Sequence, residues 1–233
     1  MRIGSVRLCS LFLVLTSSML VLSGCAGSNP TIDTSDTAKM TFDGLYPIEG
    51  GTADAAWARP GADISQYSKI MLQGVGIEYR PGGETGRLHH ARIGDDHFEL
   101  SDKQKARFEI VVKEAFQEEL SRSEYFTLVD EPGPDVLLIK GGLLDVVSYA
   151  PPEPLGRGEI YLRRVGEATL VLEIRDSVSE AIIARVVDRR AAEDAGGEFS
   201  KSNRAANTAE VRRLVRAWGR ILRDRLDTFG APK

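Results

Sequence analysis

The sequence predicts a single α+β domain, in which a mixed sheet of about five strands has two long amphipathic helices packed on one side. Two observations support the helices: two segments carry apolar residues at helical spacing, and each begins at a residue suited to capping. A third supports the sheet, because aliphatic runs bounded by turn-forming residues lie before and between these segments. The order strand, helix, four strands, helix is typical of one layered domain.

The first half of the domain contains a strand, a helix and a second strand. Residues 69–75 form the first predicted strand, and a polar loop over 80–100 follows it. Ser101 predicts the start of the helix, since its hydroxyl can cap free amides and Gln104 occupies the capping-box position. Residues 125–129 form the next strand, and parallel pairing with the first would make the crossover right-handed. The apolar face of the helix consists of Phe108, Val111, Val112, Ala115, Phe116 and Leu120.

The next three segments complete the predicted sheet. Residues 136–147 are apolar at nearly every position, which predicts a strand covered on both faces. The pair Gly141-Gly142 within it predicts a bulge or a close approach of another backbone. Residues 168–175 alternate in polarity, and a turn at 176–179 leads into residues 181–188, so these segments predict a hairpin.

The last helix is predicted to begin at Asn207, with Glu210 as its capping-box partner. A polar segment that contains Gly196-Gly197 precedes it, so the helix is separated from the hairpin by a loop. Its predicted buried face consists of Val211, Leu214, Val215, Trp218, Ile221, Leu222 and Leu226.

The N-terminus has the pattern of a secretory signal. Arg2 and Arg7 precede an apolar stretch over residues 8–22. A transmembrane helix needs about 20 apolar residues, so this stretch is too short for one. The alternatives at this point are a permanent membrane span and an ordinary signal peptide. Leu22-Ser23-Gly24-Cys25 resembles the lipobox of bacterial lipoproteins. That resemblance implies a diacylglycerol on Cys25, cleavage before it and acylation of the new amino group.

The residue after the cysteine bears on the destination of the protein. By the same resemblance, Asp at this position would retain a lipoprotein in the inner membrane of many Gram-negative bacteria, and this chain has Ala26. The sequence therefore predicts a lipid anchor in the outer membrane with the domain facing the periplasm. More than one acyl chain makes such attachment stable.

The chain divides into a signal peptide over 1–24, a lipidated cysteine with a flexible tether over 25–40, and a single α+β periplasmic domain over 41–230. The tether is small and polar, and it extends at most ~50 Å. Removing the signal takes away two Arg and no acid, so the remaining roughly 200 residues are more acidic than the net −4 of the whole chain. This net negative charge makes nucleic acid, which is also negatively charged, an unsuitable partner. Cys9 leaves with the signal, so the domain contains no disulfide.

Four motifs resemble an uncharacterised bacterial lipoprotein family, domain of unknown function 3313. They are Phe42-Asp43-Gly44-Leu45, Trp57-Ala58-Arg59-Pro60-Gly61-Ala62-Asp63-Ile64-Ser65-Gln66-Tyr67, Asp130-Glu131-Pro132-Gly133-Pro134-Asp135-Val136-Leu137 and Leu144-Asp145-Val146. The resemblance covers the chain from Phe42 to Phe229 and does not extend to the loop over 81–97. It implies a lipoprotein location and a fold, and no mechanism.

The histidine loop is the one candidate metal site. All three histidines and two acids fall within nine positions: His89, His90, Asp95, Asp96 and His97. Imidazole and carboxylate are ligands for zinc and other transition metals. A solvated polar loop is the alternative, because a Gly-rich segment offers no rigid frame for convergent ligands.

Two groups of residues are candidate partner surfaces. Trp57, Arg59 and Tyr67 have the aromatic and guanidinium chemistry of interfaces, or they cover the end of the sheet. Arg212, Arg216, Arg220 and Arg223 form a stripe along the last helix, suited to an anionic lipid, glycan or acidic protein. A solvated face, partly neutralised by nearby Asp residues, is the alternative for this stripe.

These observations predict a non-enzymatic envelope lipoprotein that binds or scaffolds an unidentified envelope protein. No catalytic motif, such as Gly-x-Ser-x-Gly or His-Glu-x-x-His, occurs in the sequence, and no cofactor is predicted. The alternative is a metal-binding protein or metal-dependent hydrolase that uses the histidine loop. A third hypothesis is a carrier of a small ligand or lipid, which requires a cavity in the domain.

Overall fold

A computed structural model describes residues 30–81, 97–151, 159–193 and 197–231. Within these ranges the chain forms strands and two helices in one mixed α+β fold. In chain order they are β1 (Thr31–Ile32), β2 (Tyr46–Glu49), β3 (Ala55–Ala58), β4 (Lys69–Tyr79), α1 (Asp102–Leu120), β5 (Thr127–Val129), β6 (Val136–Ser148), β7 (Tyr161–Leu162), β8 (Arg164–Asp176), β9 (Ile182–Glu193), β10 (Ser200–Lys201) and α2 (Arg204–Gly230).

The main sheet has eight strands in the order β1-β2-β3-β9-β8-β6-β4-β5. β4 runs parallel to β5 and β6, and the other neighbours are antiparallel. The prediction of about five strands is therefore wrong. The strands that it omits are β1, β2 and β3, which are two to four residues long and too short to show an alternating pattern. β1 also lies inside the segment predicted as a tether.

The hydrophobic core lies between the sheet and the helices. Strand register places Ile70, Leu137 and Leu170 on one sheet face, and both helices pack over that face. Phe108 of α1 meets Tyr79 of β4 edge-on, with ring centroids 6.2 Å apart. Each fully buried aliphatic side chain contributes roughly 1.5–3 kcal/mol. The predicted α+β fold with two helices on a mixed sheet is confirmed.

The first helix begins at the predicted cap, and the second begins one turn earlier than predicted. Ser101 precedes α1, and its backbone N–H donates to Gln104 Oε1 at 2.9 Å, as the predicted capping box requires. α2 begins at Arg204, one turn before the predicted cap at Asn207. The cap is Asn203, whose side chain accepts from the Ala206 N–H at 2.9 Å. Both asparagines have capping chemistry, and the helix extends to the earlier one because Ala205-Ala206 favour helix.

The predicted close approach at Gly141-Gly142 is confirmed. The β4–β6 register shifts between Gly74 and Gly76, opposite this glycine pair. A Cβ built on Gly142 would lie 3.2 Å from the Gly76 carbonyl oxygen, a backbone atom, and 2.7 Å from Val75 Cγ2. The bulge thus depends on the missing side chain.

Asp145 lies at a second irregularity, where the β6–β8 register shifts between Leu144 and Val147. Its φ of 52° is in the left-handed region, which Asp tolerates better than most residues. Its carboxylate accepts from Arg80 Nε at 2.6 Å and from Arg189 Nη1 at 2.7 Å. The hydrogen bond from Arg80, with a further one from Arg189, lowers the pKa of Asp145 to about 2.

We expect Asp145→Asn to lower the free energy of unfolding at pH 7 by about 1 kcal/mol. This is less than the lowered pKa of Asp145 alone would imply, because the side chain is 38% exposed and solvent screens its ion pairs. Asn keeps the left-handed backbone but loses the charge. Because the folded-state pKa is depressed, the wild-type stabilisation is present above about pH 4 and is lost as the pH falls toward 2. Urea titrations at pH 7, 4 and 2 should show the two proteins converging only in acid. Asp36→Asn, at an exposed carboxylate, is the control; an equal loss in both variants would contradict the prediction.

Candidate functional site

The two helices run parallel and are joined by ion pairs along their lengths. Arg212 of α2 pairs with Glu114 of α1 at 2.9 Å, and Arg216 pairs with Glu118 at 2.6 Å. One turn further on, Gly219 permits close contact, since a Cβ on it would lie 3.0 Å from Glu119 Cβ. These contacts fix the spacing and direction of the helices.

A cavity of about 970 Å³ lies between the N-terminal halves of the two helices and strands β6 and β8. We call it the interhelix groove. Its volume is at the upper end of the about 300–1,000 Å³ range of small-molecule sites. Its walls are mainly apolar. The apolar lining consists of Leu100, Phe108, Val111, Leu143, Val146, Val147, Ala150, Pro151, Ile160, Val165, Ala168, Ala192, Val211, Leu214, Val215 and Trp218.

Trp218 is held rigidly in the wall of the groove. It is 3% exposed, and its Nε1 donates to Asp188 Oδ2 at 2.7 Å. Asp188 is 5% exposed and also accepts from Arg190 Nε at 2.6 Å. A buried carboxylate is tolerated when donors satisfy it in this way. The indole ring therefore has one fixed orientation beside the cavity.

Charged side chains also line the groove. Glu159 is paired with Lys201, and Glu167 accepts from Arg189 Nη2 at 2.6 Å. Lys103 and Arg107 lie on the groove side of α1 and are exposed. The carboxylates of the lining are thus neutralised by partners of their own.

The arginine stripe predicted on α2 contributes to helix packing. Arg212 and Arg216 form the interhelical pairs described above, and Arg223 Nη1 lies 3.1 Å from Glu119 Oε2. Arg220 is exposed, and no described residue forms an ion pair with it. All four line a second hollow of about 480 Å³. Their role as a partner surface stays a prediction.

The structure also gives Arg59 and Tyr67 contacts within the fold. Tyr67 is 7% exposed, and its hydroxyl donates to Asp176 Oδ2 at 2.9 Å. Burial raises the pKa of Tyr67 to about 12. Arg59 Nε donates to the Ile182 carbonyl at 2.9 Å. Trp57 lies half-buried in β3, opposite Arg185 of β9. A contact surface made of these three residues stays a prediction.

The histidine loop and the lipidation site fall almost entirely outside the described residues. His89, His90, Asp95 and Asp96 lie in the segment 82–96, and Cys25 precedes residue 30. His97 is described, and its Nε2 lies 2.9 Å from the Pro81 carbonyl oxygen. Among the described residues, no group of three His, Cys, Asp or Glu side chains could hold a metal ion. The metal site stays a prediction.

Sequence reasoning missed the interhelix groove. Its walls are residues such as Val111, Val215 and Leu143, which the periodicity assigns to an ordinary core. The sequence does contain one signal, since Lys103 and Arg107 flank the apolar face of α1 at i, i+4 spacing. That signal is too common on helices to predict a cavity.

The family of the chain follows from its sequence. The chain belongs to the family described as protein of unknown function (DUF3313), which matches residues 33–222, and this confirms the resemblance found in the motifs. No curated protein matches the chain. In the described part of the chain, neither helix has the length and apolarity needed to cross a membrane.

Several solved structures are similar to this chain. A DUF330-family protein from Xanthomonas campestris is 12% identical, with a TM-score of 0.40 over 74% of this chain and 90% of that one. The PelC dodecamer from Paraburkholderia phytofirmans is 9% identical, with a TM-score of 0.34 over 71% and 96%. A putative neuraminyllactose-binding hemagglutinin homolog from Helicobacter pylori is 11% identical, with a TM-score of 0.31 over 72% and 84%.

Proposed function

We propose that this protein is a non-enzymatic, lipid-anchored envelope protein whose domain binds the apolar part of a small amphiphile in the interhelix groove. The groove itself is the observation that supports this function. The groove opens at the surface, is lined mainly by apolar side chains, and at about 970 Å³ has a size typical of a small-molecule site. Apolar surface in contact with water is unfavourable, and a ligand in the groove would cover it.

The surroundings of the groove favour binding over catalysis. Its walls are mainly apolar, so a bound hydrocarbon gains roughly 25 cal/mol for each Å² of apolar surface removed from water. The parallel helices are fixed by their ion pairs and by the contact at Gly219, so the site is preorganised. Whether the domain also scaffolds an envelope protein, as the sequence predicts, is a separate hypothesis.

The groove hypothesis predicts that filling the interhelix groove weakens ligand binding. Val211 lines the groove from α2 and is only partly buried, so a larger side chain there projects into the cavity. We expect Val211→Trp to weaken binding of a fluorescent naphthylamine probe at least tenfold, which corresponds to about 1.4 kcal/mol. Ile110→Trp is the matched control, because Ile110 of α1 is 56% exposed and lies outside the lining. Equal probe affinity in both variants and the wild type would contradict the proposal.

The proposed location depends on Cys25. The lipobox supports an outer-membrane anchor that faces the periplasm. We expect Cys25→Ser to lack the acyl mass in intact-protein mass spectrometry and to leave the outer-membrane fraction. Ser23→Ala keeps a small residue in the lipobox and should remain lipidated. An unmodified wild-type cysteine would overturn the anchor while leaving the groove hypothesis intact.

A further inference from the structure

The rim of the interhelix groove carries two exposed cations, Lys103 and Arg107. They lie one turn apart on α1, both line the groove and both are exposed. In the described part of the chain, neither forms a hydrogen bond or ion pair. The two acids in the described lining of the groove are already paired, since Glu159 pairs with Lys201 and Glu167 pairs with Arg189.

Two adjacent cations beside an apolar cavity match one kind of ligand. Like charges at i, i+4 destabilise a helix by a few tenths of a kcal/mol, and an anion between them would remove that repulsion. Arg donates in a planar fork that fits carboxylate or phosphate, and Lys adds a point charge. Side chains at this spacing have Cβ atoms ~6 Å apart, which allows both to reach one headgroup.

Building on the proposed function, we propose that the ligand is an anionic amphiphile, with its acyl chain in the interhelix groove and its carboxylate or phosphate headgroup on Lys103 and Arg107. The alternative is that the two side chains only lay their methylene stems on the rim and keep their charges in water. These possibilities differ in one measurable respect. A headgroup site discriminates ligands by charge at constant chain length, and a solvated rim does not.

The test uses the full-length lipoprotein, kept in solution by an uncharged amphipathic polymer. Four probes share a twelve-carbon chain: dodecanoate, dodecyl phosphate, dodecanol and dodecyltrimethylammonium. We expect both anions to bind at least tenfold more tightly than the alcohol, and the cation to bind most weakly. The tighter of the two anions identifies the source, because a carboxylate corresponds to a free fatty acid and a phosphate to a phospholipid headgroup.

The variants separate the headgroup site from the groove. We expect Lys103→Gln/Arg107→Gln to lose the tenfold preference for anions while it retains wild-type affinity for dodecanol. Lys113→Gln/Arg220→Gln removes one exposed Lys and one exposed Arg outside the groove, and it should keep the preference. Equal binding of all four probes by the wild type would overturn the headgroup site and leave the groove. Failure of all four to bind would overturn the proposed function itself.

Discussion

Trp218→Ala is expected to lower the free energy of unfolding by about 4 kcal/mol, which is a large share of the stability of a domain of this size. The indole is 3% exposed, and its removal leaves both a cavity and a buried carboxylate at Asp188 with one donor fewer. Urea unfolding followed by circular dichroism measures the loss. The variant should also bind the naphthylamine probe more weakly, because the probe loses its contact with the indole in the wall of the interhelix groove.

Trp218→Phe separates the two parts of this effect. Phe retains most of the ring and loses the N–H that donates to Asp188 at 2.7 Å, so we expect a loss of about 1–2 kcal/mol. A loss below about 1 kcal/mol for Trp218→Ala would show that the indole is not the packed wall described above. Equal losses for Ala and Phe would assign the whole effect to the hydrogen bond.

Gly166→Ala is expected to cost about 3 kcal/mol, at the upper end of the range for overpacking. A Cβ on Gly166 would lie 2.4 Å from the Val147 carbonyl oxygen, a backbone atom that cannot rotate away. The contact lies where the β6–β8 register shifts, so relief would require the two long strands to separate locally. Thermal unfolding is a direct measurement, with a fall in Tm of several degrees expected.

Gly74→Ala is the control for this prediction. Gly74 lies in β4 of the same sheet, and a Cβ built on it meets nothing within 4 Å. We expect a change within about 0.5 kcal/mol. If Gly166→Ala were as mild as Gly74→Ala, the close approach of β8 to Val147 would be wrong.

The long elements of the fold were predictable because their sequences repeat one physical pattern many times. The apolar face of α1 recurs from Phe108 to Leu120, more than three turns, and the aliphatic run of β6 is almost uninterrupted. The edge of the sheet was not predictable in this way. β3 has four residues, and pairing with β9, about 130 residues away in sequence, specifies it as a strand.

The site was less predictable than the fold. Periodicity shows which side of α1 and α2 is apolar. It does not show that the facing strands lie far enough from the helices to leave the interhelix groove. The arginine stripe of α2 was visible, and its partners Glu114, Glu118 and Glu119 were equally visible on α1. Only a tertiary fold with parallel helices brings the two sets together.

β1 determines how far the domain can move from a bilayer. Thr31 and Ile32 pair with Glu49 and Ile48, so the folded body begins about six residues after Cys25. A peptide of that length spans ~20 Å, less than half the reach of a tether ending at residue 40. With Cys25 acylated as proposed, the near side of the domain would stay within that distance of the bilayer surface. A ligand exchanged with that leaflet would then travel no farther than the tether length and the width of the domain.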